Sequence, residues 1–237
     1  MSESFIHPDS SSIQVFIGGT LLLVIGSSVI LGWTIQNINL IQVYSTFSPM
    51  QFNTALGFVS SGIALLVIRT NHGIAMTCGI FTMLTGLLTL LEYVIGTNLG
   101  IDQLLLEKNI TGQVSYPGRM APNTALCFFF GGMALIGLSA PTNRFAVSIF
   151  SSILGALALG LSVVSLLSYA VNLEAAYDWG EFPRMAIHTA SGFIILNMAI
   201  ICLAWQKNIS KRTAMLICFP KLLSIFGGVV VIGLWLN

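Results

Sequence analysis

The chain has 237 residues, 55% hydrophobic and only 7% charged, with a mean hydropathy of +0.90. Soluble domains carry about 25% charged residues, so this composition excludes an ordinary soluble domain and points to an integral membrane protein. With a net charge of +1 and no run of Lys and Arg, there is no electrostatic basis for nucleic-acid binding or a polybasic lipid-binding cluster.

Residues 1–12 are polar, with Glu3, His7, Pro8 and Asp9, and lack the basic start of a secretory signal; they read as a short N-terminal tail. Residues 13–237 then read as one transmembrane bundle with apolar spans at 13–35, 50–69, 74–96, 120–139, 145–171, 185–205 and 213–235. Each is near the roughly 20 residues needed to cross a hydrocarbon core as a helix. The runs are continuous rather than alternating, which predicts an all-α protein of about seven transmembrane helices and not a barrel. The last span starts either near Thr213, with Lys221 snorkelling to the interface, or at Pro220 in a first helical turn.

The connections at 70–73, 140–144 and 206–212 are short, and those at 36–49, 97–119 and 172–184 are longer. With their flanks, the short ones carry Arg69, Arg144, Lys207, Lys211 and Arg212 and no acid, whereas the long ones mix Lys108, Arg119 and Arg184 with five acids. Lys and Arg are retained on the cytoplasmic side, so the short turns and the N-terminus are expected inside. The first, third, fifth and seventh spans each reach an aromatic near the outer end, at Trp33, Tyr93, Tyr169 and Trp235, as interfacial anchors do.

The even-numbered spans open on related segments: Met50-Gln-Phe-Asn-Thr-Ala-Leu-Gly-Phe58, Met120-Ala-Pro-Asn-Thr-Ala-Leu-Cys-Phe128 and Met185-Ala-Ile-His-Thr-Ala-Ser-Gly-Phe193, spaced by 70 and then 65 residues. Such a period predicts a repeated unit, here a hairpin covering roughly 13–69, 74–139 and 145–205, with a half unit at 213–237. A proline near each Met (Pro49, Pro122, Pro183) marks a helix start. On a helix the Met, the Asn or His, the Thr and the Phe share one face. That face is either a packing surface joined by hydrogen bonds, or the wall of an outer pocket where three helix N-termini favour an anion or polar head group. In the second case the ligand-binding candidates are Asn53, Thr54, Asn123, Thr124, His188 and Thr189. Glu92 lies inside an apolar span about one turn from its outer end, where a charge is costly: it either simply reaches interfacial water or pairs with Arg119 or Arg184, and in the second case these three frame an outer mouth.

His188 is the sole histidine well inside a span, whereas haem between helices usually takes two axial ligands. A His and Met ligand pair, or a Cu(I)-type set of Met50, Met120, Met185 and His188, is the less favoured alternative to ordinary packing. Cys78, Cys127, Cys202 and Cys218 show no metal-ligand spacing. No metal, cofactor or catalytic constellation is assigned, and no enzymatic activity is expected.

The segments Gly118–Phe128 and Pro183–Phe193 resemble those that open apolar helices in the multi-pass membrane region at the N-terminus of many bacterial sensor histidine kinases and diguanylate cyclases; the resemblance covers most of 13–205. It implies a non-catalytic sensory input module in the bacterial inner membrane that signals to a cytoplasmic kinase or cyclase output domain. No such domain follows in the sequence, and an odd number of crossings would leave the end outside, so the expectation is either a fragment of a longer sensor, which the half-finished fourth repeat favours, or a free-standing membrane protein derived from the same module. Expected partners are membrane lipids, a small ligand at the outer face and a second copy of the chain. The rival expectations are a small-molecule transporter and an accessory subunit of a membrane complex.

Overall fold

The computed structural model describes residues 10–44, 47–100, 118–142, 144–171 and 183–207. The expected seventh span, the half unit at 213–237 and Trp235 lie outside the described residues. Within them the chain is helical, without strands: α1 (Ser10–Thr34), the single turn α2 (Ile38–Ile41), α3 (Phe52–Val67), α4 (His72–Ile95), α5 (Pro122–Ser139), α6 (Phe145–Val171) and α7 (Ile187–Gln206). Five helices are long and apolar enough to cross a membrane, namely α1, α4, α5, α6 and α7, as expected of a multi-pass membrane protein. α3 is shorter at 16 residues, about 24 Å.

Local chemistry sets the ends. Asn71 caps α4 by accepting the Ile74 N–H at 3.0 Å. The same helix stops at Gly96, whose left-handed φ of 70° favours glycine and whose N–H closes on the Glu92 carbonyl at 3.0 Å. α5 opens with Pro122, where the missing N–H costs little.

The six long helices close into a ring. α1 packs most heavily on α3, α4 on α5 and α6 on α7; α4 also packs on α3, α6 on α5 and α1 on α7. α3, α5 and α7 touch one another in the middle. Small residues bring the backbones together, as is usual for helices in lipid. A Cβ on Gly26 would stand 2.7 Å from the Ala55 carbonyl oxygen, and one on Gly62 would stand 2.8 Å from that of Gly19. A Cβ on Gly86 would meet the Ala125 carbonyl, and one on Gly132 would meet the Met83 backbone nitrogen.

Neighbouring glycines should therefore respond in opposite ways. Gly132→Ala forces α4 and α5 apart and is expected to lose about 1–3 kcal/mol. Gly131→Ala meets nothing nearer than the Leu196 side chain at 3.4 Å and should be neutral or gain up to about 1 kcal/mol from helix propensity. Thermal unfolding of both variants in detergent checks this; equal effects would refute the close α4–α5 contact.

At the short-turn end, Arg69 donates to the Ser12 hydroxyl at 2.7 Å and also to the Gln206 side-chain carbonyl, closing the seam between α1 and α7. Lys207 donates to the Ala140 carbonyl at the C-terminal end of α5 at 3.0 Å, where a cation is favoured. Partial burial there lowers its pKa.

Candidate functional site

The three motif methionines do not start the helices, as the sequence suggests. They lie two residues before them, with Gln51, Ala121 and Ala186 as extended N-cap residues. The cause is a hydrogen bond made three times. The Met50 carbonyl accepts from Trp33 Nε1 at 2.9 Å, that of Met120 from the Tyr93 hydroxyl at 2.9 Å, and that of Met185 from the Tyr169 hydroxyl at 2.8 Å. The aromatics expected to serve as interfacial anchors thus strap each inner helix start to the neighbouring outer helix.

None of the three N-cap residues supplies a side-chain cap. Asn53 instead accepts the Thr54 N–H at 2.8 Å, and Asn123 that of Thr124 at 2.9 Å, while Asn123 also donates to the Ser165 hydroxyl of α6 at 3.1 Å. His188 occupies the matching place in α7, and neither of its ring nitrogens makes a hydrogen bond of good geometry among the described residues.

The three helix starts converge on a cavity of about 370 Å³. Thr54, Thr124 and Thr189 contribute to its wall, as do Arg119 and Arg184; Asn53, Asn123, His188 and Glu92 do not. Met50 and Met120 reach the wall whereas Met185 and His188 do not, so the suggested soft-metal set is not assembled on it. Among the described residues no group of three or more His, Cys, Asp or Glu could hold a metal ion.

One turn deeper, Phe58, Phe128 and Phe193 are fully buried and meet in a triangle, their ring centroids 5.3, 4.9 and 4.6 Å apart. A Cβ on Gly57 would run into the Phe128 ring, and one on Gly192 into that of Phe58, so these glycines make room for the triangle.

Glu92, with no exposed surface, takes Arg119 as its partner: Arg119 Nε lies 3.4 Å from Glu92 Oε2. The other carboxylate oxygen accepts the Leu99 N–H at 2.8 Å. Arg119, 4% exposed, also donates to the Thr97 carbonyl at 3.2 Å and lies 5.2 Å from the Tyr93 ring centroid, within cation–π range. The pair fastens the segment after α4 to the start of α5. Arg184 is exposed at the cavity wall.

Sequence reasoning did not identify the aromatic straps or the small residues 7 and 14 positions before them, Gly26 and Gly19, Gly86 and Gly79, Ser162 and Gly155. Their common spacing from the aromatic was the available signal. No protein-family model matches the chain, nor does any curated protein or solved structure.

Proposed function

We propose that the chain is the membrane-embedded sensory module of a bacterial signalling protein, built from copies of one helix hairpin and without catalytic activity of its own. A small ligand or polar head group enters the cavity from the outer face of the inner membrane. The short-turn end, with Arg69, Arg144 and Lys207, faces the cytoplasm, as the positive-inside rule favours.

The observation that carries this reading is the convergence of the three strapped helix starts on one cavity. A ligand that moves a helix start pulls directly on an outer helix through the Met carbonyl and its aromatic donor. The ligand must bind two such arrangements unequally for any signal to pass. Transport, the main alternative, needs a path past the cavity, and the Phe58, Phe128 and Phe193 triangle fills the centre of the ring immediately below it. An accessory subunit would need no ligand cavity at all.

The test uses spin labels at Ile35 and Val94, 57% and 84% exposed at the cavity end of α1 and α4, in liposomes. Adding inorganic phosphate, sulfate or small organic anions is expected to change the label separation by about 1–2 Å or more, the scale of helix shifts in signalling. Accumulation of the anion inside the liposomes would replace the sensory reading with transport.

A further inference from the structure

Thr54, Thr124 and Thr189 are each 2% exposed, each stands third in its helix, and all three line the same cavity. A buried hydroxyl in a helix ordinarily donates to the carbonyl four residues back, as Thr82 and Thr89 do here at 2.9 and 3.1 Å. For the motif threonines that carbonyl belongs to Met50, Met120 or Met185. It lies before the helix and is engaged by Trp33, Tyr93 or Tyr169. None of the three hydroxyls makes a hydrogen bond among the described residues, and none is a fully buried atom, so each opens onto the cavity. Three unpaired hydroxyls, carried on otherwise buried residues and opening onto one cavity, mark a place where water or a ligand pairs with them.

The surroundings favour a negative charge. Among the described residues the wall includes Arg184 and Arg119, the latter paired with Glu92, and no Asp or Glu. Three helices present their N-terminal ends to it without a side-chain cap, and each end carries a partial positive charge. Three donors from three directions match three oxygens of one tetrahedral ion. The cavity has room for the ion with several waters, or for a phosphate carried on a larger group.

We propose that this cavity binds a tetrahedral oxyanion of the phosphate or sulfate type, each of three oxygens accepting one threonine hydroxyl. The inference rests on the sensory reading only in taking the same cavity as the ligand site. A free inorganic ion and a lipid phosphate share this chemistry and are separated by experiment.

The chain, purified in a phosphate-free maltoside, is titrated calorimetrically with sulfate and inorganic phosphate in chloride buffer at constant ionic strength, and in a second arm with phosphatidylglycerol against diacylglycerol. Saturable binding is expected in one arm or both. Thr54→Val, Thr124→Val and Thr189→Val should each weaken it about tenfold, the scale of one hydrogen bond to a charged group, and the serine variants should restore it. General salting-out by sulfate would persist in the valine variants and so is distinguished. Where a valine variant does not fold, the alanine variant gives the same reading. No saturable binding by the unaltered chain, or binding indifferent to all three threonines, overturns the proposal. Movement of the Ile35 and Val94 labels without threonine-dependent binding would sink this proposal and leave the sensory reading; binding without movement would do the reverse.

Discussion

Glu92→Gln is expected to lower stability by about 3–5 kcal/mol, because it removes the carboxylate charge beside the Arg119 guanidinium, which is 4% exposed. The neutral amide retains an oxygen for the Leu99 N–H, so the loss reports on the charge rather than on that hydrogen bond. Removing both charges together, as Glu92→Gln with Arg119→Met, should recover much of the loss, since an apolar pair of similar volume often replaces a buried ion pair at little cost. The double-mutant cycle, read from thermal or denaturant unfolding in micelles, isolates the coupling between the two residues. A single-mutant loss below about 1 kcal/mol would mean that the pair behaves as a solvated surface bridge.

Phe128→Ala is the second large effect. In water a buried Phe truncated to Ala loses about 3–5 kcal/mol. In lipid part of that falls away, since hydrocarbon also surrounds the separated helices; what remains is the lost packing of the ring against Phe58 and Phe193. The expected loss is therefore about 2–3 kcal/mol. The same cavity removes the obstruction below the ligand site, so this variant should also leak small ions across liposomes where the unaltered chain does not. An intact seal with unchanged stability would show that the triangle does not close the ring.

The helices were legible because a hydrocarbon core demands long apolar runs, and the motif was legible as a set of helix starts because each copy carries its proline. The cost of a charge in an apolar span leaves Glu92 either interfacial water or one of two arginines, and the fold buries it beside Arg119. What the sequence could not resolve was which of two adjacent polar residues faces inward. Asn and Thr are successive on the helix, about 100° apart, and a motif that contains both reads the same for either rotation. The straps decide the rotation: with each Met held outside the helix by an aromatic, the Thr faces the cavity and Asn53 and Asn123 turn to their own backbone. Closure of the ring was invisible for a different reason. It depends on α1 meeting α7, a contact between almost opposite ends of the described chain with no local signature.

That seam has a consequence for biosynthesis. As the chain enters the membrane, α1 can pair with α3 as soon as the latter is made. Its other face, where Gly18 lies against Ile195 and Ala199, must wait until α7 has emerged. Among the described helices, the first in the chain is thus the last to be fully enclosed, and Arg69 can bridge Ser12 and Gln206 only then. In a membrane, lipid covers the open side of α1 until that moment, and closure of this ring exchanges that lipid for α7.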